Sequence, residues 1–363
     1  MNHIHIVGGG VIGMLTALEL HRGGLRVTLF ERAEPGRESS WAGGGIVSPL
    51  FPWRYLDSVT HLATWSQAVY PEFCSQLARD TGIDPEYTVN GMILVAPDEA
   101  DQAFAWAAQH ARDVRPIDRQ TFARLEPAAA QPADRALWMP TVAQVRNPRL
   151  ARALHRHLLD SGVPIHSQTS VRQLDLGGGR YRGLDTGDAR HEADAAVVCA
   201  GAWSRKLLDT LPTPPDVRPM RGQMLLFDAA PGSIQRIVLD ANRYVIPRRD
   251  GRTLFGSTIE DVGFDKSTTR AAYDELYAIA TARFPLLAHC RVEAHWAGLR
   301  PSSPAGVPYI GRHPAIDGLF VNAGHFRNGI VLGPASARLL ADLVLERTPI
   351  VDPAPYAWTA ARG

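Results

Sequence analysis

The feature that most constrains this chain is the glycine-rich turn Gly8-Gly9-Gly10-Val11-Ile12-Gly13, close to its start. It follows an apolar run, Ile4 to Val7, which predicts a short buried strand, and it opens a segment, Val11 to His21, whose apolar spacing predicts a helix. The first, third and sixth residues of the turn match the pattern G-x-G-x-x-G. In that pattern the glycines allow a sharp turn, close approach of a pyrophosphate, and close packing of helix on strand. The pyrophosphate would meet free amides at the positive end of the helix.

A second apolar run, Val27 to Phe30, ends at Glu31, which lies 18 residues after the last glycine of the turn. A carboxylate at this place accepts hydrogen bonds from an adenosine ribose and repels a 2′-phosphate. Strand, glycines, helix, strand and terminal acid in this order are far more specific than the glycines alone. They predict a dinucleotide-binding domain of the α/β class, and they leave open whether the ligand is NAD or FAD.

Length and composition exclude several classes of protein. The chain has 363 residues, which suggests two domains, and a formal net charge of +1, which implies no bulk attraction to nucleic acid or to a membrane. Cys74, Cys199 and Cys290 lie far apart without a C-x-x-C pair, which indicates buried thiols in a reducing compartment and no metal site. The first strand follows Met1 almost at once, and no uncharged apolar run reaches the ~18 residues that span a bilayer. We therefore expect a soluble cytoplasmic protein.

Apolar periodicity and turn residues predict the remaining elements. Predicted helices cover residues 61–81, 98–112, 118–125, 148–161, 268–284 and 334–345. Predicted strands cover residues 92–96, 171–176, 195–199, 218–227, 236–247, 253–257 and 319–324. The meander after residue 171 feeds back into a buried strand that ends in small residues, which favours a dinucleotide fold interrupted by an insertion. The strands between residues 218 and 257 predict an antiparallel sheet in a second domain.

Two further features favour FAD over NAD. A second glycine cluster, in the stretch Arg37 to Gly45, follows the ribose acid and would let backbone lie flat against a planar or phosphorylated group. Near the end of the chain, Gly324 to Gly329 lies between a terminal strand and a helix, whose N-terminus could stabilise negative charge on a reduced flavin ring. A C-terminal return to the first domain is seldom needed by enzymes that use NAD.

The chain resembles the D-amino-acid oxidase superfamily of flavoproteins, and within it the glycine oxidases linked to thiazole biosynthesis. The resemblance spans nearly the whole sequence. Its most specific parts are Trp296-Ala297-Gly298-Leu299-Arg300-Pro301, Pro308 to Pro314, Gly324 to Ile330, and Tyr244-Val245-Ile246-Pro247-Arg248. The fold implied is an FAD-binding Rossmann-like domain of the D-amino-acid oxidase and glutathione reductase type, with a second α+β domain built on an antiparallel sheet. The domain boundaries expected are 1–84, 145–213 and 299–363 for FAD, and 85–144 and 214–298 for substrate.

The resemblance also implies roles for individual residues. Arg300 would form a two-pronged bond to the substrate carboxylate, since a guanidinium fork fits two oxygens. Tyr244 would donate its hydroxyl to the same carboxylate, and Arg327 would sit at the mouth or edge of the site. Ile259 matches an apolar wall position, and Asn242 could touch substrate. The residues expected to bind FAD are Gly8, Gly10, Val11, Ile12, Gly13, Glu31, Arg32, Ser39, Gly43, Gly44, Gly45, Val171, His325, Phe326, Arg327, Asn328, Gly329, Ile330 and Val331.

Two departures from related families bear on the site. The loop Ser48 to Tyr55, with Phe51 and Trp53, is bulkier than in some glycine oxidases and could narrow the pocket. Sarcosine oxidases hold their flavin through a cysteine, but no cysteine lies between His325 and Val331, so FAD here is expected to be non-covalent.

The function implied is oxidation of glycine or another small amine by hydride transfer from Cα to the flavin, with O2 reoxidising it to give hydrogen peroxide. No protein base is expected to be essential. Two alternatives remain open: a D-amino acid dehydrogenase that passes electrons to a quinone or carrier, and a non-catalytic or tRNA-binding flavoprotein. The near-neutral charge argues against a nucleic-acid partner. The oligomeric state is left open, with a homo-oligomer as one possibility.

Overall fold

The computed structural model of this chain describes residues 1–362. The helices are α1 Val11–Arg22, α2 Ser39–Ala42, α3 Asp57–Thr81, α4 Ala100–Gln109, α5 Arg119–Leu125, α6 Asn147–Asp160, α7 Ser204–Leu207, α8 Arg270–Arg283 and α9 Gly329–Val344. The strands are β1 His3–Val7, β2 Arg26–Phe30, β3 Thr88–Val89, β4 Met92–Val95, β5 Arg115–Asp118, β6 Arg135–Met139, β7 Ala143–Gln144, β8 Ile165–His166, β9 Gln173–Asp175, β10 Gly183–Asp185, β11 Arg190–Glu192, β12 Ala195–Val198, β13 Arg218–Phe227, β14 Ile237–Asp240, β15 Arg243–Pro247, β16 Thr253–Gly256, β17 Val292–Ser302, β18 Tyr309–Arg312 and β19 Leu319–Ala323.

One sheet has six strands in the order β18-β19-β12-β1-β2-β8. All neighbours pair in parallel except β18, which runs antiparallel to β19 at the edge. A parallel sheet is covered on both faces, which is why β12 is a continuous apolar run, buried along its whole length. The small antiparallel sheet β11-β10-β9 forms the meander that interrupts this domain before β12.

The second large sheet has eight strands in the order β17-β13-β16-β15-β14-β4-β6-β5. Its pairs are antiparallel except for β14 with β4. Side chains alternate between its faces: Tyr244 and Ile246 pack on one side with Met92 and Leu94, whereas Val245 packs on the other with helix α8. This alternation turns Tyr244 toward the first sheet.

The last helix begins five residues earlier than the sequence indicated. Pro334 lies inside α9 and not near its start, because the helix begins at Gly329. A proline cannot donate to the carbonyl four residues before it. Here that carbonyl, of Ile330, accepts the hydroxyl of Tyr70 at 2.6 Å. The N-terminus of α9 therefore lies directly after the loop that follows β19, beside the candidate cofactor residues.

The predicted strand over residues 236–247 is two strands joined by a tight turn. Ala241 and Asn242 both have positive φ, 44° and 64°, and connect β14 to β15. Asparagine tolerates this left-handed conformation better than most residues. Asn242 thus lies in a turn instead of in a strand beside Tyr244.

The domain boundaries stay a prediction. Strands of the six-stranded sheet come from residues 3–30, 165–198 and 309–323, and those of the eight-stranded sheet from residues 92–139 and 218–302. Within residues 1–362, no helix is both long enough and apolar enough to cross a membrane.

Candidate active site

A cavity of about 430 Å³ lies where the parallel strands β1, β2, β12 and β19 end. It is lined from the first sheet by the residues that follow these strands and from the second by Tyr244 and Arg300. Crevices at the carboxyl ends of parallel strands are where open α/β sheets bind ligands. Of the predicted cofactor residues, those that line the cavity are Gly8, Gly10, Val11, Ile12, Glu31, Arg32, Ser39, Gly43, Gly44, Gly45, Val171, His325, Phe326, Arg327, Gly329 and Ile330.

Three predicted cofactor residues, Gly13, Asn328 and Val331, are not part of the lining. Gly13 packs beneath the turn, since a Cβ there would lie 1.8 Å from the carbonyl oxygen of Gly8. Asn328 precedes helix α9 and has a buried amide nitrogen without a hydrogen-bond partner among the described residues. Val331 is buried in the core beneath the first turn of α9. They can support the site without touching a ligand.

The glycine turn has the shape that a dinucleotide requires. Gly8 has φ +112°, and a Cβ at this position would lie 2.4 Å from the carbonyl oxygen of Cys199. The amide of Val11, in the first turn of α1, donates to Ser40 Oγ at 2.8 Å. Strand, turn and helix are therefore packed too closely to admit side chains, which leaves backbone facing the cavity.

The second glycine cluster packs against the other sheet. A Cβ on Gly44 would lie 2.6 Å from Ile246 Cδ1, and one on Gly45 would lie 2.1 Å from the carbonyl oxygen of Val145. Arg248 fixes this segment from behind, because its guanidinium donates to the carbonyl oxygens of Gly44 at 2.8 Å and Val145 at 2.9 Å. The cavity thus has a flat wall of bare backbone between its two halves, which fits the planar ring of FAD.

Glu31 has a structural task besides the one expected of it. Its Oε2 accepts the amide of Gly9 at 2.7 Å and its Oε1 accepts the amide of Ala33 at 2.9 Å. The carboxylate therefore ties the glycine turn to the end of β2. Each carboxylate oxygen has a further lone pair, so the same group can still accept a ribose hydroxyl from the cavity that it lines.

Beyond Glu31, the predicted cofactor residue Arg32 belongs to a group of side chains at the cavity whose other members were not predicted. The guanidinium of Arg32 lies 3.5 Å from the centre of the Trp203 ring and pairs with Glu38 at 2.7 Å. Lys266, from the segment between β16 and α8, pairs with the same carboxylate at 3.1 Å. Only the three-dimensional structure brings these four residues together.

At the opposite end, Tyr244 and Arg300 meet at Ser257, which the sequence did not single out. The Tyr244 hydroxyl donates to Ser257 Oγ at 3.2 Å, and Arg300 Nη2 donates to the same oxygen at 2.6 Å. Arg300 Nη1 donates to the carbonyl oxygen of Thr258 at 3.2 Å. Gly222 on the paired strand leaves the necessary space, since a Cβ there would lie 2.0 Å from Arg300 Nη1.

The charge at this end of the cavity is uncompensated. Burial lowers the pKa of Arg300, the neighbouring Tyr244 opposes that shift, and the second guanidinium, of Arg327, lowers the pKa further. Arg327 Nη2 is buried without a hydrogen-bond partner in the described chain. Glu260 also raises the pKa of Arg300, but its carboxylate is already paired with Arg221 at 2.6 Å. Two guanidiniums that face one cavity without a committed counter-charge suit a ligand carboxylate.

His325 is present in the cavity as a neutral imidazole. It is 1% exposed, its Nε2 lies 3.0 Å from Ser336 Oγ, and burial lowers its pKa to about 3. A group with so low a pKa is a weak proton acceptor at neutral pH.

Several residues expected at the substrate end are elsewhere. Ile259 does not line the cavity and is 42% exposed, and Asn242 does not line it either. From the loop of residues 48–55 it is Ser48 and Leu50 that reach the cavity. Phe51 is buried in the neighbouring core, and Trp53 donates to Glu99 at 2.6 Å. The apolar lining near Tyr244 is formed by Leu50 and Met224, which the sequence did not mark.

Comparisons with known proteins bear on the whole chain. Residues 3–343 match the family described as DAO, FAD dependent oxidoreductase. The chain is 49% identical over 353 residues to a glycine oxidase of Pseudomonas aeruginosa and 46% identical over 353 residues to a glycine oxidase of Pseudomonas putida, with 97% of each chain covered in both cases. The crystal structure of glycine oxidase from Geobacillus kaustophilus superposes with a TM-score of 0.94 at 30% identity over 100% of both chains. These matches confirm the predicted fold class.

Proposed function

This chain belongs to the DAO family of FAD-dependent oxidoreductases, and we propose that it oxidises glycine and other small amino acids such as sarcosine and small D-amino acids. The prediction of FAD over NAD is confirmed by the family. The observation that carries the proposed substrate is the pair Arg300 and Arg327, which face the cavity with no committed counter-charge beside the Tyr244 hydroxyl. The glycine oxidases of the two Pseudomonas species support it.

The roles of the side chains follow from their positions. Arg300 donates hydrogen bonds to both oxygens of the substrate carboxylate, and Tyr244 donates its hydroxyl proton to one of them. Arg327 stabilises the same negative charge from the edge of the site. With the carboxylate fixed, Cα and the amine lie toward the flat wall of backbone. FAD, held by the glycine turn, the second glycine cluster and the loop that begins at His325, would supply the hydride acceptor for Cα, with O2 as the final electron acceptor and hydrogen peroxide as the reduced product. The imino acid that remains hydrolyses to a keto acid and ammonia, or enters thiazole synthesis.

The side chains near Tyr244 limit the size of the substrate. Leu50 and Met224 line the cavity near Tyr244. Gly222 and Gly298 also line it, and neither position has room for a side chain, because a Cβ would clash with Arg300 at the first and with Ala42 at the second. A substrate without a bulky side chain fits this space. We also propose that FAD is held without a covalent bond, because no cysteine lies between residues 325 and 331.

The deciding experiment measures hydrogen peroxide released by the purified flavoprotein with glycine in air, next to D-phenylalanine as the bulky comparison. We expect peroxide with glycine, a much lower kcat/KM for D-phenylalanine, and FAD free in solution after denaturation. Reduction of the flavin by glycine without peroxide, together with electron transfer to a quinone, would favour the dehydrogenase instead. A protein that glycine does not reduce under anaerobic conditions would reject both enzymes.

The sequence further suggests a cytoplasmic protein that acts on its substrate and O2 without nucleic acid or membrane. These expectations, and a homo-oligomeric state, stay proposals.

A further inference from the structure

Ser257 occupies a central place behind the two residues assigned to the substrate carboxylate. It directly follows β16, is 1% exposed, and does not line the cavity itself. Its Oγ is the point where the Tyr244 hydroxyl, at 3.2 Å, and Arg300 Nη2, at 2.6 Å, converge. Its own carbonyl oxygen accepts Arg243 Nη1 at 2.9 Å, which holds the backbone in place.

The hydrogen bonds of Ser257 can be counted. A serine hydroxyl offers one proton and two acceptor lone pairs, whereas a guanidinium can only donate. Arg300 therefore always donates to Ser257 Oγ. The bond between Ser257 and Tyr244 joins two hydroxyls, so either can be the donor. While Tyr244 donates to Ser257, its only proton is used, and none remains for a substrate carboxylate.

We propose that Ser257 is a positioning residue whose hydroxyl reverses its hydrogen bond to Tyr244 when a carboxylate enters the site. In the bound state Ser257 donates to the oxygen of Tyr244, Tyr244 donates to the carboxylate, and Arg300 still donates to Ser257 Oγ. The negative charge of the ligand favours this direction, because every proton in the chain then points toward it. The inference rests on the proposed function of Tyr244 and Arg300 as the carboxylate clamp.

The arrangement also leaves Arg300 free to bind. A guanidinium has five N–H donors, and Ser257 Oγ and the carbonyl of Thr258 use two of them. The remaining three can meet a carboxylate, and the fork is held in one orientation before the ligand arrives. A side chain at position 257 without a hydroxyl would lose both the relay to Tyr244 and one anchor of Arg300.

The test compares wild-type holoenzyme with Ser257→Ala, Ser257→Thr, Tyr244→Phe and the double variant Ser257→Ala/Tyr244→Phe. Acetate, which carries the carboxylate without the amine, is titrated while the flavin absorbance is followed, and KM and kcat are measured for glycine. We expect Ser257→Ala to raise the acetate Kd and the glycine KM about tenfold with kcat changed less than about threefold. Ser257→Thr, which keeps the hydroxyl, should restore Kd to within about threefold of wild type.

The double variant separates a positioning role from a merely structural one. Because Ser257 acts partly through Tyr244, Ser257→Ala should raise the acetate Kd less in the Tyr244→Phe background than in wild type. Ser58→Ala, which removes a buried serine hydroxyl with no described side-chain hydrogen bond at the start of α3, is the matched control and should leave Kd and KM unchanged.

Three results would overturn the inference: an unchanged acetate Kd in Ser257→Ala with normal FAD content, no recovery in Ser257→Thr, or fully additive effects in the double variant. If Ser257→Ala does not retain FAD, Ser257→Cys replaces it, since a thiol keeps the volume and is a weak hydrogen-bonding group. Wild-type protein that binds acetate but releases no peroxide from glycine would reject the proposed oxidase function alone. The acetate series would still decide the role of Ser257.

Discussion

Arg300 illustrates how a single side chain gains its function from neighbours that do not stand near it in sequence. Its guanidinium is held by Ser257 and Thr258 and fits only because residue 222 is glycine. Burial without a committed counter-charge lowers its pKa, a cost that a bound carboxylate would offset. The residue is therefore organised for a ligand that the protein alone does not supply.

Replacement of Arg300 by alanine should weaken glycine binding strongly. A charge-assisted pair contributes roughly 1.5–3 kcal/mol, so the KM for glycine should rise at least about tenfold while FAD content stays normal. Steady-state kinetics with glycine measures this, and Arg312→Ala, an exposed arginine on β18, is the control. Unchanged kinetics in Arg300→Ala would show that the carboxylate is bound elsewhere.

His325 and Tyr244 allow a test of whether the protein needs a base. His325 is neutral with a pKa near 3, and arginine is a poor base, so we expect orientation of a neutral amine to be sufficient. His325→Ala and Tyr244→Phe should each keep a rate of flavin reduction within about 10²-fold of wild type. Loss of a true general base would lower that rate by about 10²- to 10⁴-fold.

The measurement is anaerobic stopped-flow reduction with saturating glycine. A variant with normal FAD and normal glycine binding that loses more than about 10³-fold in the reduction rate would identify its missing residue as the proton acceptor.

At the scale of elements, the site depends on the pairing of β13 with β17. In this antiparallel pair Gly222 lies opposite Gly298, and Met220 lies opposite Arg300. A Cβ on Gly222 would come within 2.0 to 2.3 Å of the Arg300 guanidinium. The strand β13 can therefore carry no side chain at this position without moving the arginine.

Gly222→Ala should accordingly raise the KM for glycine by about tenfold or more, in the same direction as loss of Arg300, while FAD binding and the far-ultraviolet circular dichroism stay as in wild type. Gly177→Ala is the control, because a Cβ there would meet the ends of two side chains, Arg182 at 3.2 Å and Asp175 at 3.3 Å, and no backbone atom within 3.3 Å. Wild-type KM in Gly222→Ala would mean that Arg300 adopts another position in the active protein.

Local patterns could predict some elements and not others. The unit from β1 through α1 to β2 is encoded by neighbouring residues, and its strand, turn and helix lie where the pattern placed them. The start of α9 was missed because Pro334 is a helix-start signal, and the compensating bond from Tyr70 comes from a distant helix. The turn at Ala241 and Asn242 has no glycine or proline to mark it.

Some residues of the candidate site could likewise be predicted from local patterns, and others could not. Gly8, Glu31, Tyr244 and Arg300 belong to motifs, so the sequence alone could select them. Ser257, Gly222, Leu50 and Met224 approach the site through strand pairing and sheet packing, which no local spacing records. The exposed position of Ile259 has the same cause, since the sequence cannot say which way a loop turns after its strand.

At the scale of the whole molecule, the chain passes between its two large sheets several times, and the cavity lies where they meet. The first sheet supplies the glycines and the acid proposed to bind the dinucleotide, together with Arg327 in the loop after β19, and the second supplies Arg300 and the hydroxyl of Tyr244. His5, His313 and His325 are buried. Loss of hydration, complete or partial, lowers the pKa of His3, His5, His155, His157, His166, His295, His313 and His325.

The lowered pKa values of these histidines predict that the protein loses stability as the pH falls below neutrality. His5 is 1% exposed, its Nδ1 lies 2.7 Å from the Tyr181 hydroxyl, and burial together with the charges of His3, His191, His166 and Arg26 lowers its pKa from 6.5 to about 3. Above pH 6.5 the ring is neutral in both the folded and the unfolded protein. Between pH 6.5 and about 3 the unfolded chain binds a proton that the folded chain does not. The free energy of unfolding therefore decreases as the pH decreases. The slope is about 1.4 kcal/mol per pH unit for each such group.

Urea unfolding of the holoenzyme at pH 7.5 and pH 5.5, followed by tryptophan fluorescence, measures this fall. His5→Asn keeps a polar group near Tyr181 but cannot titrate in this range. Its free energy of unfolding should therefore drop by about 1 kcal/mol less than that of wild type between the two pH values. His289→Gln replaces an exposed histidine and is the control, with the wild-type drop expected. An equal drop in His5→Asn and wild type would show that His5 takes up its proton equally in the folded and unfolded states, and that its burial does not govern the acid sensitivity of the fold.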